Sequence, residues 1–356
     1  MSPITPRSWL FTVLSICGAL TTLVLIDTTT RAQSDEWPGN RRYCSGTATA
    51  MFEACRSQAE PDHWKAVAIC SNLDEDEERE DCFEEIDEER REAAQLCRAQ
   101  MAARRTLCEL LGEDRYDPDF DPALFDNDFT RLSRPNRYYP LTVGYRWDFL
   151  APDEATTVEV LGKTKLVEGV TCIVVNDKVS AGGRVVEDTD DWIAQALNGD
   201  VYYCGEEVTE FETFTGDAPE EAELVSIDGS FKTGRDGDKP GILFRGAPIK
   251  GDFYRQEFSL GNAEDVAEVL STTYAFGRDA DLDRFVPKPL ADLFCPGDCV
   301  VTKESTPLEP GTVERKYYAA RIGKFLEVNP DTGKVVRLVA CNVDSRCNAL
   351  STALAR

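Results

Sequence analysis

Apolar and polar positions change rhythm along this chain, and each rhythm predicts a different kind of element. From Ser8 to Ile26 no residue is charged. Between Cys44 and Leu111, Met51 and Phe52, then Ile86, Leu96, Met101, Leu107 and Leu111, fall on or beside one seam at helical spacing. Two helices are expected there. From Tyr138 onward, runs such as "TTVEVLGKTKLVEGVTCIVVNDKVS", "GDVYYCGEEVTEFETF", "GDFYRQEFSLG" and "TVERKYYAARIGKFLEVN" are β-branched and aromatic, broken by Gly, Asp and Asn. They predict an antiparallel sheet, curved or partly closed, with hairpin turns at "AGGR" (181–184) and "PDTGK" (330–334).

Cysteine spacing sharpens the helical part. The intervals between Cys44, Cys55, Cys70, Cys82, Cys97 and Cys108 form a palindrome, reading the same from either end. Outermost paired with outermost gives Cys44–Cys108, Cys55–Cys97 and Cys70–Cys82, and every pair of numbers sums to 152, the register of two antiparallel segments folded about residue 76. Steps of 11 and 15 are close to whole helical turns, so each arm keeps its cysteines on one face. The acidic "NLDEDEERED" suits a solvated turn, and Pro61 is expected to kink or interrupt the first arm. A two-helix hairpin buries little apolar surface, and each crosslink contributes about 2–4 kcal/mol. In the second half, Cys172 and Cys204 lie in strands and are expected to pair across the sheet, while Cys295–Cys299 and Cys341–Cys347 close local loops.

The expected fold class is therefore α+β: a disulfide-laddered helical hairpin followed by a curved antiparallel sheet or half-barrel. The divisions are a signal peptide over 1–32, the hairpin over 33–112, an acidic proline-bearing linker over 113–137, the β-domain over 138–340 and a tail over 341–356. Arg7, the apolar run and the small residues before Ala32 match a cleavable secretory signal; an uncleaved anchor is the alternative. Twelve cysteines remain after cleavage, which fits export to a periplasmic or extracellular, envelope-associated location.

Charge removes one class of partner. The formal net charge is −26, so nucleic acid is not expected. His63 is the only histidine, and no GxSxG, HExxH, P-loop or GxGxxG is present, so triad, zinc-protease and nucleotide-cradle chemistries lack their parts and no cofactor is expected. Carboxylate chemistry remains, with Glu257, Glu264, Asp265 and Glu314 as candidates. Alternation puts Tyr254, Gln256 and Phe258 on one strand face and Arg255 with Glu257 on the other. There Arg255–Glu257 and Glu314–Lys316 read as ion pairs on a solvated face. "DADLD" resembles the start of a calcium loop through Asp279, Asp281 and Asp283, but Arg284 stands where Gly is needed. Trp192, Tyr202, Tyr254, Tyr317 and Tyr318 are candidates to line an apolar concavity.

The ordered segments "NRYYPLTVGYRWDF", "EDTDDWIAQALNGDVYYCGE", "KPGILF", "YRQEFSLGNAEDVAEVL" and "TPLEPGTVERKYYAARIGKFLEVN", over roughly residues 136–340, resemble a family of secreted bacterial β-domains akin to lipoprotein-carrier and lipocalin-like half-barrels. The resemblance implies export and fold rather than an activity. The chain departs from it by inserting "RDADLDRFVPKPLADLFCPGDC", residues 278–299, in place of one short turn. The expected function is that of an exported, non-catalytic binding protein. The β-domain would take an apolar small molecule or lipid, and the hairpin would act as a spacer or meet an envelope protein. The alternatives are a purely structural envelope protein and a carboxylate-dependent glycan hydrolase.

Overall fold

A computed structural model describes residues 42–351. The expected leader lies outside the described residues. Helix α1 (Tyr43–Cys70) and helix α2 (Asp76–Leu111) form the hairpin. Its rungs are Cys44–Cys108, Cys55–Cys97 and Cys70–Cys82, with Cα–Cα distances of 5.5, 5.7 and 5.6 Å. Pro61 does not interrupt α1, which runs unbroken through it. Rungs on both sides of the proline hold the arm against α2, so the loss of one backbone hydrogen bond is tolerated. At the foot, Tyr43 N donates to Glu113 O and Ser45 N to Glu113 Oε2. The start of α1 is thereby capped from the residue that follows α2's Gly112.

The sheet has fourteen strands. They are β1 (Arg146–Leu150), β2 (Glu154–Val167), β3 (Val170–Ala181), β4 (Arg184–Gln195), β5 (Val201–Thr213), β6 (Ala222–Ser226), β7 (Phe231–Lys232), β8 (Gly241–Phe244), β9 (Phe253–Arg255), β10 (Val266–Tyr274), β11 (Cys299–Ser305), β12 (Glu314–Ala319), β13 (Gly323–Val328) and β14 (Val335–Cys341). Strands β1–β6 and β9–β14 are two antiparallel meanders joined by pairing of β1 with β14, while β7 and β8 lie on β5. Turns are local, as the composition requires. Between β3 and β4, Gly182 and Gly183 take φ of 59° and 80°. Two successive left-handed residues are the geometry of the tightest hairpins.

The far ends of the two meanders approach each other without forming a ladder, so the sheet is not closed into a barrel. An isolated bridge joins Lys239 to Phe258, and Gln256 Nε2 donates to Leu243 O at 3.3 Å. Gly241 permits that approach, because a Cβ there would stand 1.7 Å from Gln256 O. Only a residue without a side chain fits so close to another backbone.

The outer face is covered piecewise. Over 113–137, Phe120 and Phe125 pack on Tyr202 beside the Cys172–Cys204 disulfide, which links β3 to β5. The inserted segment carries helix α3 (Lys288–Phe294), whose Leu290, Ala291 and Phe294 are fully buried, and it closes through Cys295–Cys299. Cys341–Cys347 pins the C-terminal turn. Disulfides in both the hairpin and the sheet are consistent with an oxidising compartment. No helix among the described residues is long and apolar enough to cross a membrane.

Candidate functional site: an acid-lined cavity inside the curved sheet

Strand alternation builds the inner face. On β3, Ile173, Val175 and Asp177 share one side; on β4, Asp191 and Ile193; on β11, Thr302 and Glu304; on β12, Glu314, Lys316 and Tyr318. Strands from both meanders line one cavity of about 180 Å³. Trp147, Phe149, Val160 and Val175 make its apolar wall, while Asp177, Asp191, Glu257, Asp265 and Glu304 with Lys316 and Lys324 supply its charge.

Lys316 organises the charged side. Its Nζ lies 2.7 Å from Glu304 Oε2 and 3.8 Å from Glu314 Oε2. Glu304 also accepts from Thr302 Oγ1 at 2.8 Å and Tyr318 OH at 3.2 Å. Burial alone would lower the Lys316 pKa, but Glu304, Glu327 and their neighbours outweigh it and hold the ammonium well above its usual value. Glu327 likewise overcomes burial through Lys324 and Lys316 and drops to about 2.

The remaining acids have no such cation in contact. Burial, reinforced by carboxylate neighbours, raises Asp177 to about 6 and Glu206 on β5 to about 7. It pushes Asp191 and Glu257 well above the usual range and raises Asp265. Tyr203 OH donates to Asp191, and Asp177 Oδ1 is buried with no hydrogen-bond partner among the described residues. The cavity thus sets a lysine whose charged form is favoured beside several carboxyls whose pKa values burial raises.

Glu257 reaches this face through a break in alternation. Both Gln256 N and Glu257 N donate to Asp265 O, at 2.7 and 3.2 Å. Two residues therefore oppose one, as in a bulge. Arg255 and Glu257 do not pair on a solvated face. Arg255 is buried towards the hairpin, against Tyr116 and Phe258, and Glu257 points into the cavity. Glu314–Lys316 likewise belongs to the Lys316 cluster rather than to a separate solvated pair.

Of the four candidate acids, Glu257 and Asp265 line the cavity. Glu264 does not: it takes Arg104 Nη2 at 2.6 Å, Arg104 Nε at 2.9 Å and Gly261 N at 2.7 Å. Glu314 stands behind Lys316. Of the five aromatics, only Tyr318 lines the cavity. Trp192 faces outward beneath Lys165, whose Nζ is 3.3 Å from its ring centre, and Tyr202 lies under Phe120 and Phe125. Tyr317 donates to Leu282 O at 2.6 Å beneath the insertion, and Tyr254 is core. Strand parity put these rings on faces; the curvature decided which face encloses the cavity. Asp279 accepts from Asp281 N and Leu282 N, Asp281 pairs with Arg315, and Asp283 accepts from Tyr274 OH, so each of the three aspartates is engaged by a protein donor.

Asp177, Asp191 and Glu304 carry much of the cavity's chemistry without having stood out in the sequence, and Lys316 stood out only as the expected partner of Glu314. Their signal was an acid or lysine set inside a strand-like run, in "VNDKVS", "DTDDW", "VTKES" and "VERKYY". Comparison with family models, curated protein sequences and solved structures gives no match.

Proposed function

We propose that this chain is an exported, non-catalytic binding protein whose curved sheet takes a small ligand with an apolar body and a cationic or hydrogen-bond-donating head. The observation that supports this is the two-sided cavity, aromatic and aliphatic on one wall and carboxyl-rich on the other. Its volume of about 180 Å³ suits a single ring with a short arm. For scale, an apolar cavity of roughly 150 Å³ accepts benzene. A lipid would place only its end group there. The apolar leader and the paired cysteines support the export part of this reading. The hairpin, with Trp64 and Ile69 exposed on α1, is offered to an envelope partner.

The test is calorimetric titration of the full chain with benzylamine and benzyl alcohol. Benzylamine should bind more tightly at pH 8 than at pH 5, because a bound cation favours the ionised form of Asp177 and its neighbours. Asp177→Asn and Asp191→Asn should each weaken it. Equal binding of amine and alcohol, independent of pH, overturns the reading.

A second reading, a carboxylate-dependent glycan hydrolase, is favoured by one observation: Glu257 and Asp265 share the cavity with raised pKa values, the state wanted of a general acid. Loss of glycan turnover in Glu257→Gln, with the fold intact, would establish it in place of the first. A structural envelope role gains if neither amine binding nor turnover is found.

A further inference from the structure

A second concavity lies where the foot of the hairpin meets the sheet, and its charge runs against that of the chain. It measures about 400 Å³. Arg104 of α2, Arg255 of β9, Arg115 and Lys239 line it against Asp114 and Glu264, four cations to two carboxylates in a chain of net charge −26.

Two of the guanidiniums are built into the fold. Arg104 is 5% exposed; its Nε and Nη2 are spent on Glu264, and its Nη1 is buried with no hydrogen-bond partner among the described residues. Arg255 is 9% exposed and makes no carboxylate ion pair among the described residues. Its Nη2 makes a weak contact to Cys44 Sγ at 3.9 Å, and its guanidinium lies 5.2 and 5.6 Å from the ring centres of Phe258 and Tyr116. Burial chiefly, and Arg104 in smaller measure, press its pKa below the usual arginine value, while Glu264 and Tyr116 oppose them. Burying a guanidinium without a matched anion is costly, and buried charges are as a rule paired. At the rim, Arg115 lies over Tyr43 at 5.1 Å, and Lys239 is held by Asp117.

We infer that this crevice binds a small organic oxyanion, a carboxylate or phosphate ester carrying an aromatic or branched apolar remainder. Arg104 Nη1 and the Arg255 guanidinium take the oxyanion through charge-assisted hydrogen bonds. Tyr43, Tyr116, Phe258 and Leu260 receive the remainder. Glu264 is the counter-charge that holds Arg104 in place rather than a contact of the ligand.

The experiment is calorimetric titration of the full chain with phenyl phosphate, benzoate, inorganic phosphate and benzyl alcohol. Phenyl phosphate or benzoate should saturate one site more tightly than inorganic phosphate, and benzyl alcohol should not bind there. The stronger of the two organic anions identifies the group. Arg255→Gln should weaken it by about tenfold or more, the scale of one lost charge-assisted hydrogen bond. Arg115→Gln, at an exposed residue whose loss leaves the fold intact, should weaken it by about two- to fivefold and flatten its salt dependence. Absence of binding by both organic anions overturns the inference. So does benzyl alcohol binding as tightly as benzoate, inorganic phosphate as tightly as phenyl phosphate, or unchanged affinity in both variants. Glu257→Gln, in the separate inner cavity, should have no effect; a loss there would move the anion to that cavity and overturn the assignment.

Discussion

Arg104 on α2 and Glu264, 160 residues later, form a two-pronged ion pair at 5% and 1% exposure, and this pair fastens the hairpin to the sheet. The hairpin is therefore not a loosely tethered part, as an acidic linker alone would suggest. Gln100 Nε2 adds a bond to Leu308 O at 2.9 Å, and Tyr116 OH another to Pro240 O at 2.8 Å.

Breaking that pair should be expensive. Arg104→Ala leaves Glu264 buried and unpaired and should cost about 3–5 kcal/mol in urea unfolding. Arg104→Ala with Glu264→Gln should recover part of the loss. If Arg104→Ala costs under about 1 kcal/mol, the pair is not what anchors the hairpin.

Lys316 should behave in the same way from inside the cavity. Lys316→Met strands Glu304 among buried groups and should cost about 3–5 kcal/mol, whereas Lys316→Met with Glu304→Gln should be close to neutral. Denaturant midpoints of the two variants make the comparison.

Stability should fall as pH rises through the neutral range. Asp177 and Glu206 have folded pKa values of about 6 and 7, above their unfolded values. Between roughly pH 4 and 7 the native state therefore holds more protons than the unfolded chain, and unfolding free energy declines with rising pH. Glu327, depressed to about 2, acts the other way: its contribution is full above its unfolded pKa and is lost as pH falls through about 2. Urea unfolding at several pH values should show a decline from about pH 4 to about pH 7 that is shallower in Asp177→Asn; an unchanged slope would place Asp177 in a wetter site.

Gly241→Ala tests the approach of the two meander ends. Its methyl would meet the Gln256 carbonyl oxygen at 1.7 Å, a backbone atom that cannot swing aside. The variant should be destabilised by about 1–3 kcal/mol or more and should lose protection of the Lys239 amide from hydrogen exchange.

The elements and the crosslinks of the hairpin are legible in the order of the residues alone. Cysteine numbers that sum to 152 express the register of two antiparallel rods, and that arithmetic needs no knowledge of the rest of the molecule. The strand runs and the Gly182–Gly183 turn were equally local, because side-chain parity and positive φ are properties of a few consecutive residues. Only the tertiary structure decided which parity faces inward. Tyr317 and Tyr318 are neighbours in one strand, yet one lies under the insertion and the other lines the cavity, and a bulge at Gln256–Glu257 turned an expected surface ion pair into a buried arginine and a cavity acid. The pairing of β1 with β14 and the meeting of Arg104 with Glu264 both join residues more than a hundred positions apart. No local pattern encodes such contacts, because their energy comes from burial shared between distant segments once the chain has folded.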